Sequence, residues 1–177
     1  MQPSFCVILV LSTLQLLVLF AQGESSVIDS FRIFNNFPSG VAISNSNNDS
    51  EYECLTAKRI WLNAKAKQGK YIWILKERHG KSKIEIPFYL SQGSSPDTFS
   101  YKVGSEDATP EEGKFMYTDY EHCSVLDMPY NGHQCILWSS ELSKDSLPQE
   151  CMDKFADICG VGIPLYNQDL CPVEIAN

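Results

Sequence analysis

Residues 123–138 read CSVLDMPYNGHQCILW. Two short runs, CSVLDM and CILWSS, flank a Pro-Tyr-Asn-Gly segment. Asn-Gly between apolar runs is a strong hairpin signal, because both residues accept the positive φ that a tight two-residue turn demands. A turn centred on Asn131-Gly132 puts Cys123 opposite Ser140 and Cys135 opposite Met128. On that register the two cysteines do not staple their own hairpin.

Upstream the chain repeats this texture. GVAIS, YECLTAKRIWLNAKAK, KYIWILKER, KIEIPFYL, DTFSYKVG and GKFMYTDYEH are period-two or rich in aromatic and β-branched residues, with turn residues between them. Leu55, Ala57, Arg59 and Trp61 alternate onto one face of the second segment. Gln68-Gly69 and His79-Gly80 read as turns, and Pro87 as an edge or a bulge. With the hairpin included, about eight strands follow one another at regular spacing, as in a sandwich or an up-and-down barrel.

Two helical segments bracket the strands. Val27, Ile28, Phe31 and Phe34 are spaced for a short helix capped by Ser26 or Asp29 and ended by Pro38 and Gly40. SLPQECMDKFADICG opens on Pro148, sets Met152, Phe155, Ile158 and Cys159 along one face, and stops at Gly160. The remainder reads as an extended tail.

The chain begins MQPSFCVILVLSTLQLLVLFAQGESS. The apolar run Val7–Phe20 falls short of the ~20 residues of a spanning helix. It ends in a small-x-small AQG, so residues 1–23 are expected to be a secretory signal peptide and 24–177 a single domain with no membrane span. Of seven cysteines, Cys6 leaves with the signal. Six remain, an even number that implies three disulfides and a secreted, extracellular protein. Asn48-Asp49-Ser50 is a glycosylation sequon in a polar stretch. The formal net charge of −8 argues against nucleic acid and anionic membranes as partners.

Catalytic and metal chemistry find little support. No C-x-x-C, H-E-x-x-H, G-x-S-x-G or P-loop pattern occurs, and His122 adjoins Cys123 rather than standing at ligand spacing. The chain is therefore expected to be no enzyme, with no cofactor and no metal. Glu85, Asp119 and Asp127 are scattered carboxylates on solvated strand faces. Asp119 and Asp127 would turn inward under a one-residue change of register. Cys151 and Cys159 lie ~12 Å apart along a helix, too far to pair with each other.

The last third resembles tick salivary lipocalins of the histamine-binding protein family. Their signature is a cysteine, an acidic and an aliphatic residue, then an acidic-Leu-Trp triplet and a further cysteine. Here the positions read Cys123, Ser124, Val125, then Ile136, Leu137, Trp138, then Cys151. The resemblance implies an all-β fold with minor α: an eight-stranded antiparallel lipocalin barrel, a short N-terminal helix and a C-terminal amphipathic helix. It also implies the pairing Cys54–Cys171, Cys123–Cys151 and Cys135–Cys159. The disulfide layout is similar to the japanin-like branch, associated with host immune modulation and a sterol-like ligand.

Ser124 and Ile136 stand where the amine binders of that family carry carboxylates. A buried cation without a counter-charge costs several kcal/mol, so an apolar sterol or other lipid is the expected ligand. The expected contacts are Trp61, Tyr71, Trp73, Phe88, Phe99, Tyr101, Ile136 and Trp138. Plain barrel packing is the competing role for most of these rings. Two other functions stay open: scavenging histamine or serotonin through other carboxylates, and a protein-binding role at the host immune-cell surface with the barrel as scaffold. A monomer is expected.

Overall fold

The computed structural model describes residues 27–47, 50–76, 82–169 and 171. The leader, the sequon residue Asn48 and the His79-Gly80 turn lie outside these residues.

The first apolar-periodic segment forms α1, Ser30–Asn36. Asp29 caps it, one carboxylate oxygen accepting the N–H of Phe31 at 2.8 Å and of Arg32 at 3.1 Å. That satisfies two of the first-turn donors a helix leaves free. The helix buries Phe31, Ile33 and Phe34.

Eight strands follow: β1 Ser39–Asn45, β2 Thr56–Asn63, β3 Gln68–Leu75, β4 Ile84–Gln92, β5 Thr98–Val103, β6 Glu111–Thr118, β7 Cys123–Met128 and β8 Gln134–Ser140. Each pairs antiparallel with the next, and β8 returns to β1, which closes the sheet into a barrel. Closure removes the open edges that would otherwise recruit other strands. β1 leaves β2 after Val41–Thr56, and beyond that point the short β9, Ile163–Pro164, pairs with Ser44 and Asn45 instead. The tail is thus part of the sheet. Helix α2, Gln149–Cys159, packs outside β7 and β8.

The opening stretch is explained by what covers it. β7 and β8 are buried along almost their whole length. Leu126, Met128, Ile136 and Trp138 join the inner core, while Cys123, Val125, Cys135 and Leu137 form an outer cluster under Cys151 and Phe155 of α2. Strands buried on both faces lose polar alternation. The buried side of α2 is Cys151 and Phe155; Met152, placed on that side by sequence spacing, is exposed.

All three disulfides form as the family resemblance implied: Cys54–Cys171, Cys123–Cys151 and Cys135–Cys159, with Cα separations of 5.5, 6.2 and 5.8 Å. The hairpin register differs by one residue from the two-residue turn. Cys123 faces Ser139 and Cys135 faces Asp127, because Pro129–His133 makes a longer connection. Asn131 and Gly132 do take positive φ, 46° and 92°. Gln68 and Gly69 are not a turn but the start of β3. Pro87 stands at an edge, as expected: β4 pairs with β5 only from Phe88 on, so the side of Pro87 that lacks an N–H faces no paired strand. It lies where β5 ends, its carbonyl accepting the N–H of Gly104 at 2.9 Å.

Candidate functional site

The inward residues of the barrel form one aromatic core. Trp73 and Phe88 have ring centroids 4.6 Å apart, and Trp73 and Trp138 5.4 Å. Phe99 lies 5.3 Å from Phe115, and the approach depends on Gly113: a Cβ there would come within 2.7 Å of the Phe99 ring.

One end of the barrel is plugged by α1. Phe34 enters the core and meets Tyr71, Phe99 and Phe115 at centroid distances of 5.3, 5.0 and 5.4 Å. Helix α1 has no basic residue in its last turn, and the barrel supplies what is missing. Arg59 donates to the carbonyls of Phe34 and Asn35 at 2.8 and 3.0 Å. The Tyr71 hydroxyl lies 2.7 Å from the carbonyl oxygens of both Phe34 and Phe37. A cation and a donor at a helix C-terminus satisfy its free carbonyls and its dipole. At the opposite end Tyr130 packs on Trp73 and Phe88, and Tyr52 on Trp73.

Between these ends lies a cavity of about 70 Å³, bordered by Phe34, Phe37, Tyr71, Trp73, Phe88, Phe99 and Trp138 among others. An apolar cavity that admits benzene measures ~150 Å³. A guest of sterol size therefore enters only as these rings give way.

Five of the eight expected contacts border the cavity: Tyr71, Trp73, Phe88, Phe99 and Trp138. Tyr101 and Ile136 are buried in the same core without bordering it. The Tyr101 hydroxyl donates to Glu111 at 3.3 Å. Trp61 is a correction. A bulge between Arg59 and Trp61 shifts β2 by one residue. It keeps Arg59 opposite the inward Tyr71 and turns Trp61, opposite Lys70, to the outside, where it is 44% exposed. One extra residue exchanges the faces of every position beyond it.

Sequence reasoning missed Ile33 and Phe34 of α1, Phe37 just after it, and Leu90, Phe115, Leu126 and Met128 of the wall. The period-two pattern carried a signal for Phe115. Nothing in the helical spacing of α1 says that it plugs a barrel.

Among the described residues, none that lines the cavity is charged. Asp127 lies on the outer face opposite Cys135, 3.3 Å from His133 Nε2. Asp119 sits in the β6–β7 loop, where one oxygen accepts the N–H groups of Glu121, His122 and Cys123 at 3.0, 2.8 and 3.0 Å. Burial pushes its carboxyl up, but these N–H groups together hold it below the usual carboxylate range. Neither carboxylate turns inward, as a shifted register would have allowed.

The polar atoms at the wall are few. Ser139 Oγ donates to the Ser140 carbonyl at 3.0 Å, and Tyr71 is held by α1. Ser124 borders the cavity, 4% exposed, directly opposite Trp138 on the neighbouring strand. Trp138 Nε1 is buried and has no hydrogen-bond partner among the described residues. An unsatisfied buried donor costs ~1–3 kcal/mol.

A closed eight-stranded antiparallel barrel with a plugging helix, an aromatic interior and a disulfide-tethered outer helix defines a lipocalin, a ligand-binding scaffold. Residues 38–172 match the model of the tick histamine binding protein family, and the chain belongs to that family. The match takes in all eight strands, α2 and the six bridged cysteines. No curated protein matches the chain by sequence.

Among solved structures the chain is similar to AM182 in complex with serotonin, at 14% identity and a TM-score of 0.60, covering 82% of this chain and 93% of that one. It is similar to japanin from Rhipicephalus appendiculatus bound to cholesterol, at 14% identity and a TM-score of 0.53, covering 74% and 94%. Lobster apocrustacyanin A1 matches at 15% identity and a TM-score of 0.55, covering 77% and 80%. At these identities the likeness is one of fold.

Proposed function

We propose that this lipocalin is a secreted salivary carrier that sequesters a small, neutral, apolar host molecule, a sterol or another lipid, and so dampens the host response at the feeding site. The leader at residues 1–23 takes it to the secretory pathway, and Asn48 carries a glycan. The observation that carries the ligand class is the cavity wall: mostly aromatic and aliphatic, with no carboxylate among its described residues. Burial of apolar area at ~25 cal/mol per Å² supplies most of the affinity. An ammonium in the same place has no counter-charge, and its desolvation opposes binding. Japanin, solved with cholesterol, provides the fold-level precedent.

The test is lipid extraction and native mass spectrometry of the protein secreted from eukaryotic cells. A stoichiometric neutral lipid is expected. An empty barrel that takes up histamine or serotonin at micromolar concentration would replace this function with amine scavenging. An empty barrel that binds host leukocytes would make it a protein-binding scaffold.

A further inference from the structure

We propose that the inner wall of β7 and β8 holds a polar subsite, Trp138 Nε1 with Ser124 Oγ, that receives one hydroxyl or carbonyl oxygen of an otherwise apolar ligand. The inference rests on the apolar-ligand function above and specifies the chemistry of the ligand's one polar group.

The donor is the starting point. Buried indole N–H groups ordinarily find a partner, and Trp138 Nε1 has none among the described residues. The ring borders the cavity. Its Cε3 edge is packed towards β1, 3.3 Å from where a Cβ on Gly40 would stand. The N–H lies on the opposite edge of the indole, turned away from Gly40. Ser124, on β7, is the residue directly opposite Trp138 in the β7–β8 register, and it borders the same cavity.

The other wall hydroxyls are engaged: Tyr71 with the end of α1, Ser139 with the Ser140 carbonyl. The free capacity of the wall is therefore one obligate donor and one hydroxyl that donates or accepts. An alcohol accepts from Trp138 and donates to Ser124; a carbonyl accepts from both. A pure hydrocarbon leaves the indole N–H unsatisfied. An ammonium adds a donor to a donor and brings a charge nothing offsets. A carboxylate finds no cation among the described residues of the wall. The ligand class is thus a neutral lipid bearing a hydroxyl or carbonyl.

The experiment uses cholestanol and its hydrocarbon counterpart cholestane, delivered from cyclodextrin to the intact disulfide-bonded protein. Displacement of a fluorescent apolar probe is measured on wild type, Trp138→Phe and Ser124→Ala. The alcohol-over-hydrocarbon preference is expected to fall about tenfold in Trp138→Phe, the worth of one buried hydrogen bond. It is expected to fall in Ser124→Ala as well. The indole N–H resonance of Trp138 in nitrogen-labelled wild type should move with cholestanol and stay with cholestane, which needs no variant to fold. An unchanged preference in both variants, or an indole signal that treats the two steroids alike, overturns the subsite while leaving the apolar-ligand function standing. Failure of both steroids to displace the probe removes that function and the subsite with it.

Discussion

Phe34 of α1 meets Phe99 of β5 edge to face inside the barrel, with ring centroids 5.0 Å apart. The plug of the barrel therefore occupies space that a ligand needs. Phe34→Ala is predicted to lower the stability of the empty protein by about 3 kcal/mol, as large-to-small core changes do. The same change should enlarge the cavity and tighten binding of a fluorescent apolar probe. Denaturant unfolding and probe titration on one preparation check both effects. A variant that loses stability without gaining probe binding separates the plug from the cavity.

Trp61 and Trp73 make opposite predictions. Trp61 lies on the outer face, and Trp73 is 5% exposed inside. Acrylamide should quench Trp61 readily and the two inner tryptophans weakly. Trp61→Phe should remove the accessible component of the emission and leave ligand uptake unchanged.

Much of the barrel was legible in the sequence. Alternation in β5, the Asn-Gly signal and the Asp29 cap of α1 stood out because each rests on local chemistry. The errors came where one residue changes the count. The bulge at Ile60 turns Trp61 outward, and the longer Pro129–His133 connection moves the hairpin register by one. Neither leaves a mark in composition or period. α1 showed its apolar face but not its partner, so Phe34 read as core of a helix and not as a wall of the site. Tyr71, Trp73, Phe88, Phe99 and Trp138 all come to the cavity because they lie on inward faces of the barrel, while Tyr101, also inward, is buried beside it.

The loop between β6 and β7 should confer a measurable pH dependence. The folded carboxyl of Asp119 sits below its ordinary value of 3.8. Its contribution is therefore complete above that value and is lost as pH falls through the lower folded one. Asp119→Asn is predicted to cost about 1 kcal/mol at neutral pH, the scale of a lost capping interaction. The difference from wild type should shrink below about pH 4. Thermal unfolding across that range reads the convergence.

The Cys54–Cys171 bridge closes a separation of 117 residues and ties the tail to the β1–β2 connection. Replacing both cysteines by serine is expected to destabilise by about 2–4 kcal/mol in denaturant unfolding. Peptide mapping of the unreduced wild type should return the three bridged pairs and no others.

Restoring a carboxylate should reverse the ligand class. Ser124→Asp puts a buried charge at the wall, so the empty variant is predicted to melt below wild type. Histamine should raise the melting temperature of that variant and leave wild type where it was. Equal shifts in both would mean that an amine finds its counter-charge elsewhere.

The central claim is that the barrel holds a neutral apolar molecule and not an amine. The most direct measurement is competition for one fluorescent apolar probe by cholesterol and by histamine, on the same delipidated wild-type protein. Displacement by cholesterol at micromolar concentration or below, with none by histamine in the same range, is the predicted result. Displacement by histamine with none by cholesterol would contradict the account.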